Sequence, residues 1–169
     1  MSICSACSSG SAPPMGDDVD AHVRVATTDE MESLGVRLAG LVHAGDLIIL
    51  TGDLGAGKTV LTRGIGSGLR VRGPVTSPTF VIARVHPSLG EGPALVHVDA
   101  YRIGSLAEVD DLDLDASMAE SVTVVEWGRD RVESLAQERL EIDITVDDDE
   151  SRQVHLRGIG PRWAGLQLA

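Results

Sequence analysis

An α/β fold with a mixed, mostly parallel central sheet and a C-terminal antiparallel hairpin is predicted by three observations. The apolar run Asp46-Leu-Ile-Ile-Leu-Thr51 leads straight into the glycine-rich Gly52-Asp-Leu-Gly-Ala-Gly-Lys-Thr59, and a helical pattern follows. Two further apolar runs of strand length each end in an acid, residues 95–99 at Asp99 and residues 122–126 at Glu126. Near the C-terminus, residues 139–146 and 152–157 alternate polar and apolar types around the turn Asp147-Asp-Asp-Glu-Ser151. Continuous apolar runs suit strands buried on both faces, and alternation suits strands with one wet face.

Taken in order, residues 1–20 are small, polar and proline-containing and read as a disordered tail. Cys4 and Cys7 form a lone C-x-x-C there. That is too few ligands for a tetrahedral zinc site, and no strand precedes the pair as a thioredoxin-like motif requires. One domain is expected over 21–160, with 161–169 as a C-terminal tail. Residues 22–27 alternate as a half-buried strand. Thr27-Thr-Asp-Glu30 is a capping box, and Met31, Leu34, Leu38, Leu41 and Val42 then recur at helical spacing. After the strand at 46–51, a helix is predicted from Lys58 to Leu69. A loop with two prolines covers 73–79, and strands at 80–85 and 94–98 flank the Gly/Pro-rich turn 86–93. Residues 104–120 are acidic with a short helix, and 121–126 form another buried strand.

With one Phe, one Tyr and two Trp, the core has to be built from Val, Leu, Ile and Ala. The formal net charge of -12, with no basic stripe in the sequence, points away from a protein that grips nucleic acid through a surface of its own; a local patch of Arg63, Arg70 and Arg72 would have to outweigh the rest. No run is apolar and long enough to span a bilayer, and the first residues lack the pattern of a signal peptide, so a cytoplasmic protein is expected.

Gly52–Thr59 matches G-x-x-x-x-G-K-[ST], the phosphate-binding P-loop. A polyphosphate needs several backbone N–H groups pointing inward, which side chains would obstruct. Glycines 52, 55 and 57 clear that approach, and the dipole of the following helix adds positive potential. Lys58 is the only lysine in the chain, so a composition that otherwise uses arginine keeps one compact ammonium at the β- and γ-phosphate position. The Thr59 hydroxyl suits Mg²⁺. The alternative, a chance glycine-rich turn, does not explain the strand–loop–helix context. With this motif the fold class becomes a P-loop NTPase-like three-layer sandwich. The chain has no asparagine, so an N-K-x-D guanine-reading motif is impossible and ATP is the expected nucleotide. An acid at the end of a neighbouring strand should support Mg²⁺ or its water shell, and Asp99 and Glu126 both fit. For either one, a solvent-facing strand end is the bland alternative.

Gly52–Thr59, Ser77-Pro-Thr-Phe80, His97-Val-Asp-Ala-Tyr-Arg102 and Val125-Glu-Trp127 occur in this order and at these spacings. Together they resemble the TsaE (YjeE) family, the ATPase component of bacterial tRNA threonylcarbamoyladenosine biosynthesis, over residues 23–156. The resemblance implies that Leu54, Gly55, Ala56, Gly57, Lys58 and Thr59 contact ATP and that Thr59 and Glu126 ligate Mg²⁺. It implies that Asp99 supports hydrolysis, that Thr79 senses the γ-phosphate, and that Trp127 lies near the nucleotide. Thr28 and Arg152 align with nucleotide-contacting positions. Each has a plainer alternative: helix capping for Thr28, strand initiation for Thr79, core packing for Trp127, and for Arg152 an ion pair with the acidic turn. The implied partners are TsaB-like and TsaD-like proteins, with tRNA reached only indirectly through the complex and no membrane involved. A P-loop small-molecule kinase is the alternative enzyme, but no arginine-rich lid insertion is visible. A nucleotide-dependent binding switch is the alternative outside catalysis.

Overall fold

The computed structural model describes residues 19–78, 82–102 and 117–168. The Cys4/Cys7 tail, Thr79, Phe80 and the acidic stretch up to residue 116 lie outside the described residues. In chain order the elements are β1 (Val19–Val25), α1 (Thr28–Ala39), β2 (Leu47–Gly52), α2 (Lys58–Gly68), β3 (Ala83–His86), β4 (Ala94–Asp99), β5 (Ser121–Glu126), β6 (Arg139–Val146) and β7 (Arg152–Ile159).

The strands form one sheet in the order β1-β7-β6-β2-β5-β4-β3. The continuous apolar runs become its interior: β2 lies between β6 and β5, and every residue of β5 is buried. β2 pairs parallel with β5 and β6, and β4 pairs parallel with β5. The other three pairings, β1–β7, β6–β7 and β3–β4, are antiparallel. The sheet is therefore evenly mixed rather than mostly parallel. The turn 147–151 is too short for a crossover, so β7 must return beside β6, and β1 then extends that antiparallel edge. The expected C-terminal hairpin is present, in register from Arg139↔Ile159 to Val146↔Arg152.

At α1 the capping box forms with its return bond shifted to the residue before the cap. The Thr27 hydroxyl accepts the Glu30 N–H at 3.2 Å, and the Glu30 carboxylate accepts the Ala26 N–H at 2.6 Å. Met31, Leu34 and Leu38 of α1 and Leu61 and Ile65 of α2 share one core cluster with Ile48, Leu50, Val124 and Ile142 of the sheet. Both α-helices thus cover the same face. On the opposite face, Leu47, Ile49, Val96, Val98 and Val125 pack against Met118, Val132 and Leu135. Among the described residues, α1 and α2 form the helical layer on the first face, and the helical residues at 117–118 bring Met118 onto the second.

Residues 161–168 differ from the tail read in the sequence. A 3-10 turn at Pro161–Trp163 buries Trp163 against Gly158, where any Cβ would overlap the Cβ of the tryptophan, and Leu166 joins the same core. Arg162 secures the segment by donating to both carboxylate oxygens of Asp46 and to the Leu41 carbonyl. No helix among the described residues is long and apolar enough to cross a membrane.

Candidate nucleotide and metal site

Strand periodicity decides which side chains can meet the P-loop helix. Leu95 of β4 and Val122 and Val124 of β5 belong to the cluster beneath α1 and α2. Side chains two residues apart share a face, so His97, Asp99 and Glu126 point the same way. The pairings Leu50↔Glu126 and Asp99↔Glu126 bring the carboxyl ends of β2, β5 and β4 level with one another, beside the loop that leaves β2.

That loop turns through Gly55 at φ 81° and Gly57 at φ 112°, backbone angles that side-chain-bearing residues rarely adopt. Gly57 is the N-cap of α2 and offers no side chain to its first N–H groups. A Cβ built at Gly55 would meet nothing within 4 Å, so the loop rim is open. The rim borders a cavity of about 540 Å³ lined by Leu54, Gly55, Gly57, Lys58, Thr59 and Val60, and across it by Ser77, Asp99, Tyr101, Glu126 and Trp127.

Lys58 is buried, with its Nζ donating to the carbonyl oxygens of Gly52 at 2.6 Å and Asp53 at 2.9 Å. The same ammonium sits 3.8 Å from the centroid of the Trp127 ring. Burial pulls the pKa of Lys58 below 10.5, against the opposing pull of Glu126, Asp99 and Asp53. Trp127 has φ 62° and donates its backbone N–H to the Leu50 carbonyl, a turn that swings the indole off β5 toward Lys58. Tyr101 meets the indole edge-on, with ring centroids 5.2 Å apart.

The Thr59 hydroxyl donates to Glu126, 3.0 Å from Oε1 and 3.3 Å from Oε2. His97, fully buried, contacts the same Oε1 through Nε2 at 2.8 Å. Asp99 accepts the Tyr101 N–H at 3.0 Å. Of the two acids, then, Glu126 lies against the P-loop threonine, while Asp99 borders the cavity from the next strand.

The remaining sequence-predicted residues fall into place as follows. Leu54 is 92% exposed at the loop tip, whereas Ala56 is wholly buried beneath the loop and does not line the cavity. Thr28 is exposed in the first turn of α1, and Arg152 opens β7 opposite Val25 and Val146. Both sit at the same end of the sheet as the P-loop, but neither lines the cavity, and the Arg152 guanidinium donates to the Glu150 carbonyl. Thr79 lies outside the described residues. Sequence reading gave no role to His97, quoted there only within a motif, and missed Val60 and Ser77 as cavity walls. The alternation His97–Asp99 on an apolar strand was the available signal for the histidine.

The residues present fit a nucleotide with its metal. The open rim at Gly55 and a buried ammonium suit phosphate oxygens, and a hydroxyl beside a carboxylate is the hard oxygen set that Mg²⁺ prefers.

Fold and loop together define a P-loop α/β protein, with the loop at the carboxyl edge of the parallel strands. The family model for the threonylcarbamoyl adenosine biosynthesis protein TsaE matches residues 25–154, and the chain belongs to that family. A tRNA threonylcarbamoyladenosine biosynthesis protein TsaE from Streptomyces coelicolor is 64% identical over 144 residues, 82% of this chain and 97% of that protein. The protein of the same description from Bacillus subtilis is 37% identical over 144 residues, 85% of this chain and 89% of its own length. In three dimensions the chain superposes on the crystal structure of YdiB from Bacillus subtilis with a TM-score of 0.70 at 30% identity, covering 88% of this chain and 91% of that one.

Proposed function

We propose that this chain binds and hydrolyses ATP with Mg²⁺, and that hydrolysis supports turnover of a tRNA threonylcarbamoyladenosine-forming complex built from TsaB-like and TsaD-like partners. The observation that carries the enzymatic reading is the meeting of Thr59 with Glu126, because it joins the P-loop to a strand-end carboxylate in one oxygen-donor set. Membership of the TsaE family supports the biological setting.

On this reading the backbone N–H groups of Leu54 to Thr59 hold the phosphates. Lys58 leaves the carbonyls of Gly52 and Asp53 to neutralise the oxygens where charge accumulates during transfer. Thr59 and Glu126 hold Mg²⁺, which draws charge from the phosphate oxygens when bound. Asp99 orients the attacking water, and Thr79 senses the γ-phosphate. The indole of Trp127 walls the cavity, and Thr28 and Arg152 approach the nucleotide from the β1–β7 side.

Two substitutions test the division of labour between the acids. Glu126→Gln is expected to weaken Mg²⁺-dependent nucleotide affinity, whereas Asp99→Asn keeps affinity and loses turnover. Titrating Mg²⁺ against nucleotide binding, with phosphate release measured alongside and with the partner pair added or omitted, checks both. The opposite pattern would exchange the two roles. No phosphate release under any condition, partners included, would leave the binding switch as the better reading.

A further inference from the structure

We propose that His97 is a positioning residue for Glu126: its Nε2–H fixes Oε1 of the carboxylate and so presents the rest of the group to Thr59 and the cavity. The inference rests on the reading of Glu126 as a metal ligand.

Glu126 is the last residue of β5, and its carboxylate hangs on three rotatable bonds. At a strand end those rotations would smear the oxygens over several positions, which a small ion with strict geometry does not tolerate. Two contacts hold the group in place. Thr59 reaches it from α2 at 3.0 Å, and His97 reaches it from β4 at 2.8 Å. Only the second is rigid, because the imidazole is wholly enclosed in the core and its strand is locked in register with β5. The threonine is itself to be occupied when a metal binds, so the histidine is the constraint that persists.

Packing alone does not account for an imidazole here. A leucine would fill similar space without burying polar nitrogen. His97 instead carries a buried Nδ1 with no hydrogen-bond partner, a cost that only the contact with Glu126 offsets. That orphan atom also selects the tautomer. With the proton on Nε2, the ring donates to the carboxylate and leaves only an acceptor unpaired. With the proton on Nδ1, a lone pair would face the carboxylate and an N–H would be buried unsatisfied. Outer groups of this kind commonly hold the ligands of a metal, and removing one costs roughly 10–100-fold in metal affinity or activity.

The test uses the full chain, a non-hydrolysable ATP analogue and Mg²⁺, with His97→Leu, His97→Gln and Glu126→Gln as variants. His97→Leu is expected to lose about 10-fold of the affinity gain that Mg²⁺ confers while its affinity in EDTA stays unchanged. His97→Gln, whose amide N–H can reach the same oxygen, recovers most of the gain. A full Mg²⁺ gain in His97→Leu beside a lost gain in Glu126→Gln overturns the proposal and leaves the site reading standing. A full gain in Glu126→Gln removes the metal reading, and the proposal with it. Nitrogen NMR of the wild-type ring decides the matter if the leucine variant does not fold. A proton on Nε2, with a shift that moves on adding Mg²⁺ and analogue but not analogue alone, is expected. A proton on Nδ1 would overturn the proposal.

Discussion

The ammonium of Lys58 is satisfied by its own loop, through two carbonyls and an indole face. Those contacts have a shape that phosphate oxygens can replace, since carbonyls and phosphates offer the same acceptor to the same donor. Lys58→Ala removes the one mobile point charge at the place where transferred charge develops. It is expected to lower single-turnover hydrolysis by roughly 10²–10³-fold and to weaken nucleotide binding. Turnover close to wild type would show that the loop does not serve phosphate chemistry. The loop motif and the two strand-end acids were legible in the sequence because spacing alone defines them. His97 was not. A histidine on an apolar strand has many fates, and only the register of β4 against β5 puts its ring on Glu126.

At the scale of elements, α1 and α2 cross where Gly35 faces Gly64. A Cβ on Gly64 would overlap the Glu32 carbonyl oxygen, and one on Gly35 would overlap the Leu61 carbonyl oxygen. Helix propensity favours Gly64→Ala by roughly 0.5–1 kcal/mol, but a backbone overlap cannot be relieved by turning a side chain. The clash should win, with a net loss of about 1–3 kcal/mol in urea denaturation, and neutral or raised stability would contradict the close crossing. The crossing also bears on the site, because the first residues of α2 are the phosphate loop's own Lys58 and Thr59. On the hairpin, burial raises the pKa of Glu141, but hydrogen bonds from Arg157 and Arg139 outweigh it and hold the group below 4.5. A depressed carboxylate contributes stability that is present above its unfolded value and lost as pH falls through its folded value. Wild type should therefore exceed Glu141→Gln in stability at neutral pH, and the gap should shrink progressively below pH 4.5. A gap that stays constant across that window would mean the two arginines do not hold the charge.

Across the whole molecule, the net charge is -12, set by 26 acidic against 14 basic side chains. Arg24, Arg63, Arg129, Arg139, Arg157 and Arg162 are each engaged with a carboxylate of the same chain. The excess negative charge repels a polyanion at long range, and salt only screens that repulsion. Free tRNA is accordingly expected to bind the isolated chain at micromolar affinity or weaker, with a shallow dependence on salt, as a titration at several salt concentrations will show. Tight binding with a steep salt slope would instead indicate a direct RNA-handling surface.

Local pattern was enough to determine the strand–loop–helix of the P-loop motif, the capping residues of α1 and the hairpin of β6 and β7. In each, residues near in sequence satisfy one another: glycines at a turn, a threonine and a glutamate one helical turn apart, two alternating runs around a short polar turn. Tertiary structure decided what depends on partners distant along the chain. It placed β1 against β7 and so made the sheet evenly mixed. It drew Trp163 and Leu166 into the core, because Gly158 leaves room for the Trp163 side chain and Asp46 supplies the counter-charge for Arg162. It also separated the two acids: both end apolar strands, but only Glu126 comes to lie between Thr59 and His97, since β5 runs beside β2 and β4 is one strand further from the loop.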